Sequence, residues 1–300
     1  MVESGFVAGE RYDGLRARRA ALVAVWCVCA ASWAGPARAQ APADDPNPGA
    51  LTFTGGVDVP AVYFFRGIRQ ERDPRATLQP YGDIRIVLGS GDGLFKWVGV
   101  SVGVAESLHT GSSGTSGPSR HAHYEEAFHA ALHLGFGGAL ALETSYSART
   151  SPNFMFDTIK EVRVRVARTR GLKPYGLIAV ELTDQSTDGG IRKGRYAELG
   201  LGPVFPLIGR ATTLTIPAKV GLSLGDYYEL NGRDHPFGFF DVGGLLTVPL
   251  GLPVRFGMWN IHGGANLLVL GQTPRAANIG ADGRTSRRAV VALFGAGVTY

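Results

Sequence analysis

The sequence predicts an all-β fold: a closed antiparallel transmembrane β-barrel of about twelve strands, with short periplasmic turns at one end and long outer loops at the other. Three observations predict it. Beyond Gln40 no apolar run reaches the ~18 residues that a membrane helix requires. The chain instead alternates apolar and polar residues at period two through most of its length. The connections between the alternating runs are short and long by turns, as in barrels whose strands cross a bilayer.

Residues 1–39 read as a cleaved secretory signal peptide. Arg16, Arg18 and Arg19 precede the apolar stretch Ala20 to Ala34, and Ala37-Arg38-Ala39 is a small-x-small cleavage site before Gln40. Residues 40–50 then form a short flexible N-terminal segment, and 51–300 form the barrel. Cys27 and Cys29 both fall in the leader, so residues 40–300 carry no cysteine, and disulfides or thiolate metal sites are excluded there. Losing the leader removes five Arg and three acidic residues, which leaves 25 basic against 22 acidic residues. That balance, with no Lys/Arg cluster interleaved with aromatics, argues against nucleic acid as a partner.

Twelve strand-like segments follow, at 51–65, 78–88, 95–106, 124–136, 138–148, 157–168, 172–182, 194–205, 212–225, 237–250, 254–268 and 288–300. The second sets Ile84, Ile86 and Leu88 against Asp83 and Arg85. The fourth has helical propensity, but Phe128, Ala130, Leu132, Leu134 and Phe136 keep period two. In the sixth, Val162, Val164 and Val166 oppose Glu161, Arg163 and Arg165. The ninth sets Leu214 to Leu224 at even positions against Lys219, and the tenth sets Phe240, Val242 and Leu246 against Asp241. The last alternates Val290, Ala292, Phe294, Ala296, Val298 and Tyr300 on one face and stops on a ring. Phe294, Val298 and Tyr300 are the expected assembly signal, read by the barrel-assembly machinery. Aromatics near segment ends, including Tyr63 to Phe65, Tyr146, Tyr227-Tyr228 and Phe237 to Phe240, are expected in a belt at the membrane–water boundary on the loop side.

One stretch carries a resemblance. Gly56-Val-Asp-Val-Pro-Ala-Val-Tyr-Phe-Phe-Arg-Gly-Ile-Arg-Gln-Glu, followed by Leu78-Gln-Pro-Tyr-Gly-Asp-Ile, resembles the first hairpin of TorF-type porins and related uncharacterised bacterial outer-membrane β-barrel proteins. The matching residues are Tyr63, Phe65, Arg66, Gly67, Gln70, Leu78 and Gln79, within about thirty residues of the chain. The resemblance implies a small porin-like barrel in the outer membrane of a Gram-negative bacterium and implies no particular solute. Arg66 is expected to end the first strand at the loop side of the lumen, either selecting solute or paired with a lumen carboxylate such as Asp83.

Charges of both signs on the inner face suit a hydrated lumen, because in a dry core each would need a partner. The expected pore-lining residues are Arg66, Asp83, Arg85, Glu143, Glu161, Arg163, Arg165, Glu181, Lys219 and Asp241. His121, His123, His129 and His133 share parity, and His121 with His123 comes nearest to a metal pair. The expectation is nevertheless no metal and no cofactor. Asn260-Ile-His262-Gly-Gly-Ala-Asn266 has the placement of a barrel hydrolase motif, but Gly264 stands where a nucleophile would be, so no enzyme is expected and no catalytic residue is assigned. Two functions stay open. One is passive or weakly selective passage of small hydrophilic solutes, with membrane lipid as the surrounding partner. The other is a non-conducting structural or adhesive barrel acting through its long loops.

Overall fold

A computed structural model describes residues 49–300, apart from residues 72, 74, 112–121, 184–191, 208–210 and 281. The expected leader and His121 lie outside the described residues.

Alternation at period two yields twelve staves. They are β1 (Leu51–Pro60), β2 (Thr77–Ser90), β3 (Phe95–His109), β4 (His123–Phe136), β5 (Leu140–Thr150) and β6 (Ile159–Arg168). Then come β7 (Tyr175–Glu181), β8 (Arg195–Leu201, resumed at Val204–Pro206), β9 (Thr213–Thr215, resumed at Ala218–Gly225), β10 (Phe237–Pro249), β11 (Met258–Leu270) and β12 (Arg288–Thr299). The breaks in β8 and β9 fall at Pro203 and Pro217, which have no N–H to give the ladder. Their carbonyls still accept from Ile216 and Gly243, each at 3.0 Å, so the staves continue across the breaks.

Every stave pairs antiparallel with its neighbours in sequence, and β12 returns to β1 from Thr54↔Thr299 to Pro60↔Leu293. Tyr300 extends that seam: its N–H donates to Phe53 O at 2.8 Å, and Phe53 N–H donates back to Tyr300 O at 2.7 Å. The result is a closed twelve-strand barrel with no free sheet edge. Closure is what a bilayer demands, since an unpaired backbone edge in hydrocarbon costs several kcal/mol per group (about the cost of burying a bare amide). The segments at 91–94, 137–139, 169–174, 207–212 and 250–257 join strands at one end. Those at 61–76, 110–122, 151–158, 182–194, 226–236 and 271–287 join them at the other. We call these the turn end and the loop end.

The outward face is apolar. Ile84, Ile86, Leu88, Val102, Val104, Leu132, Val164, Val166, Ile178, Leu199, Val290 and Phe294 all stand exposed on it. A contiguous apolar surface of this kind marks contact with lipid or a partner rather than water. The segment with helical propensity is a full strand, β4, paired on both sides from Phe95↔Phe136 to Glu126↔Thr150. Among the described residues α-helix is confined to α1 (Gln272–Ala277) in the last loop, and no helix is long and apolar enough to cross a membrane.

The first segment departs from its expected bounds. The strand stops at Pro60, and the chain turns inward as a two-stranded hairpin, Phe64–Phe65 with Ile68–Arg69, lying inside the mouth of the loop end. Arg66 (φ 48) and Gly67 (φ 79) form its tip, both left-handed, as a two-residue hairpin turn with the sheet's own twist requires. Arg66 therefore does not end β1; it is carried into the lumen on a separate element. A second small hairpin, Glu229–Leu230 with Arg233–Asp234, turns in the same way at Asn231-Gly232.

Candidate functional site: a fastened hairpin above a charged lumen

The inward hairpin is held by its tip. Arg66 donates through Nη1 and Nη2 to the two carboxylate oxygens of Glu161 on β6, at 2.6 and 2.9 Å, and its Nη1 also reaches the Tyr227 hydroxyl at 2.7 Å. The guanidinium lies 4.1 Å from the centre of the Tyr196 ring. The Arg66 and Glu161 side chains retain 8% and 3% of their exposure, so this is a buried, two-point ion pair. Burial opposes the Arg66 charge, but facing Tyr227 and Glu161 outweigh it and hold the guanidinium protonated well above its ordinary range.

The backbone of the hairpin is tied as well. Tyr228 donates its hydroxyl to Arg66 O at 2.9 Å; Asn278, just past α1, donates to Gly67 O and accepts from Arg69 N–H, each at 2.7 Å. Ile68 joins Tyr196, Tyr227, Tyr228, Phe239, Leu268 and Leu270 in an apolar cluster inside the barrel. Gly67 is tight there, since a Cβ on it would come within 3.0 Å of Phe239.

A second cluster secures the other flank. Glu125 on β4 and Arg149 on β5 form a buried pair, with Arg149 Nε donating to Glu125 Oε1 at 3.0 Å and the guanidinium 3.5 Å from the Phe65 ring centre. The Tyr63 hydroxyl donates to Glu125 at 3.2 Å; burial above all, opposed by Arg149 and aided by Glu125, pushes that phenol's pKa up and keeps it a neutral donor. Tyr124 donates to Gln70 Oε1 at 2.9 Å, and His109 stacks on Tyr124 at 4.2 Å while its Nδ1 faces Glu71 at 3.4 Å. Between this flank and the wall a cavity of about 210 Å³ remains, lined by Asp58, Tyr63, Gln79, Tyr81, Ser107 and Glu125.

Toward the turn end the lumen changes character. Asp83 accepts from or pairs with His129 Nε2 at 3.0 Å, and Glu143 faces His133 Nδ1 at 3.7 Å. Lys219 stands 3.9 Å from Glu198, whose two oxygens accept from Tyr175 and Tyr196 at 2.6 Å each. Asp241 accepts from Asn266 at 2.8 Å. Arg85, Arg163 and Arg165 lie on the inward-facing parity of β2 and β6, with Arg165 over the Tyr175 ring at 4.5 Å. Glu181 sits near the loop end, 1% exposed, and accepts from Gly194 N–H at 2.8 Å. The expected lumen residues thus divide: Arg66, Glu161, Glu181 and Asp241 are buried, Arg163 lies next to the sealed part with its Nε buried, and Asp83, Arg85, Glu143, Arg165 and Lys219 are partly or fully exposed.

Several expectations are corrected. Tyr227 and Tyr228 do not sit in an outer belt; both are fully buried inside the barrel, because loop 226–236 folds inward over the hairpin. Tyr63 and Phe65 are likewise turned inward. Arg66 pairs with Glu161 and not with Asp83. Tyr146, Phe294 and Tyr300 do face outward and exposed. His262 is engaged by Asp58 at 2.8 Å and Asn260 at 3.1 Å, and a side chain at Gly264 would meet the Gly244 backbone. His123 opens β4, apart from His129 and His133 along the same strand, and no group of three ligand residues converges among the described residues. The residues that sequence reasoning missed are the partners: Tyr196, Tyr227, Tyr228, Glu125, Arg149 and Asn278. Their signal was present only as the aromatic and arginine of the first hairpin, which need something to dock against.

The sequence matches no protein-family profile and no curated relative. Solved structures with similar architecture include the NanC porin, at 9% identity and a TM-score of 0.39 over 83% of this chain and 99% of that one. The translocator domain of the autotransporter NalP from Neisseria meningitidis matches at 12% and 0.38 over 97% and 99%. LpxR from Salmonella typhimurium matches at 10% and 0.37 over 82% and 99%. Likenesses of this size say nothing about activity. What the geometry itself establishes is a closed, outwardly apolar, twelve-strand antiparallel barrel, its loop end filled by its own first hairpin.

Proposed function

We propose that the protein is a narrow outer-membrane pore for small hydrophilic solutes whose outer mouth is restricted by the fastened first hairpin. The single observation that carries this reading is the change inside the barrel from a dry, paired, aromatic plug to a wall of partly exposed charges. Arg85 is exposed and Glu143 keeps a third of its side-chain exposure, and polar groups left without full internal partners favour water around them, which supports a hydrated turn-end half. Twelve strands enclose more space than side chains alone fill in an eight-strand barrel, and the plug is what narrows it here. In this reading the cavity beside Tyr63 and Glu125 is the candidate path past the hairpin. Short turns and both chain ends would face the periplasm, long loops the exterior, and the assembly machinery would read the β12 terminus. The likeness of the hairpin to that of TorF-type porins supports the same class.

The density of the fastening favours a second reading: a barrel that stays shut and works through its loops. Single-channel recording in planar bilayers, with liposome swelling in sugars, separates the two. The pore reading expects small, discrete conductance steps and slow entry of small sugars. Intact, inserted barrels that show neither would leave the shut-barrel reading.

A further inference from the structure

The geometry points to a binding site for a small oxyanion, the carboxylate or phosphate group of a hydrophilic solute, formed by Ser145 on β5 with Arg163 and Arg165 on β6. The inference rests on the pore reading for its role in transport, while the site itself needs only solvent access from the turn end.

The first observation is an asymmetry of partners. Two inward carboxylates nearby already face internal cations or imidazoles: Arg66 donates to Glu161, and His133 Nδ1 stands 3.7 Å from Glu143. Arg163 and Arg165 take part in no ion pair or hydrogen bond among the described residues; Arg165 rests only on the face of Tyr175. The positive groups of this stretch of wall are therefore the unsatisfied ones.

The second is a pair of orphaned donors. Ser145 Oγ and Arg163 Nε are both buried and bond to nothing among the described residues, and the two residues are direct register partners. Ser145 is 3% exposed. Buried polar atoms almost always find a partner, and an orphaned one in a native wall marks a water, ion or ligand. A guanidinium N–H can only donate, a serine hydroxyl can donate, and one acceptor group bearing negative charge satisfies both while balancing the Arg165 charge two residues on. A cation would face two guanidinium groups, and a neutral sugar would leave them uncompensated. The site lies about 7 Å from the Arg66–Glu161 pair toward the turn end, two residues along β6, so an anion arriving there stops just beneath the plug. Two carboxylates stand nearby, Glu143 in register with Arg165 and Glu161 two residues before Arg163 but already paired with Arg66; they limit the site to a single small anion.

The test uses refolded protein in detergent titrated with inorganic phosphate by calorimetry, and the same protein in bilayers with phosphate added to a potassium chloride bath. Saturable binding is expected, weakened at least tenfold in the Arg163→Gln/Arg165→Gln variant, less in Ser145→Ala, and unchanged in Arg168→Gln, which loses one charge elsewhere. Arg163→Lys/Arg165→Lys should recover part of it, which shows that the double variant's loss is not misfolding. Phosphate should also reduce wild-type current and leave the double-Gln variant's current unaffected. No binding, or equal binding in wild type and double-Gln variant, overturns the inference and shows that water alone fills the site. Binding that depends on the arginines in a barrel that never conducts upholds the site and overturns the pore.

Discussion

The two halves of this lumen are lined by the same kinds of residue and behave oppositely. At the loop end Glu161 is almost wholly buried and pinned by Arg66, whose guanidinium lies over Tyr196 and donates to Tyr227. On the neighbouring strand Glu143 keeps 34% of its side-chain exposure and stands 3.7 Å from His133 Nδ1. Both are carboxylates on the polar face of an alternating strand. What separates them is a hairpin of six residues that brings its own arginine and apolar flank into one half and not the other. Inside a barrel, then, a charged wall position does not by itself mean a wet one. A loop that carries the matching charge inward converts the wall into a core, and the remaining wall stays available to water and solute.

That comparison can be broken most forcefully at the fastener. Arg66→Ala leaves Glu161 buried without its cation, and breaking such a pair costs about 3–5 kcal/mol. The barrel seam and the twelve staves do not depend on it, so the expected outcome is a folded barrel whose hairpin leaves the mouth, read as a several-fold rise in single-channel conductance. An unchanged conductance would mean that the hairpin stays without its ion pair. A smaller effect of the same sign is expected from Gly67→Ala, which forces a side chain into a left-handed position (φ 79) and against Phe239. The cost is about 1–2 kcal/mol, enough for brief openings between closed periods and visible as flickering current.

The smallest effect on the lumen is expected at the far end of the chain. Tyr300 faces outward at the β1–β12 seam, and its ring contributes on the order of 1–3 kcal/mol. A chain lacking Tyr300 should refold in detergent with unaltered conductance yet reach the membrane poorly in cells, where Tyr300→Phe restores assembly and Tyr300→Asp does not. Normal membrane levels of the deletion would show that the terminal ring is no assembly mark.

Much of the wall was legible in the sequence, for a physical reason. Val162, Val164 and Val166 against Glu161, Arg163 and Arg165 report their faces by parity alone, because a strand has no other way to satisfy lipid on one side and water on the other. Pro203 and Pro217 did not betray their interruptions, since each falls between apolar residues that continue the alternation. The plug was not legible. Tyr227-Tyr228 and Tyr63 to Phe65 sit near strand ends, where a membrane belt and an inward dock ask for the same rings. Only the arrival of Arg66 at Glu161, 95 residues away in sequence, tells the two apart, and no local pattern encodes a pairing at that range. The first-hairpin motif hinted at it: a left-handed Arg-Gly tip has no purpose on a straight strand.

Solvent access from the two halves measures the central claim directly. Residues 40–300 have no cysteine, so single cysteines can be placed at Arg85, in the open half, and at Leu270, 2% exposed in the hairpin cluster. With a small charged thiol reagent in refolded protein, the Arg85→Cys variant should react at least a hundredfold faster than Leu270→Cys. Adding Arg66→Ala should bring the second rate close to the first. Equal rates in the two single variants, or a slow Leu270→Cys rate that Arg66→Ala leaves unchanged, would contradict a lumen divided by its own fastened hairpin.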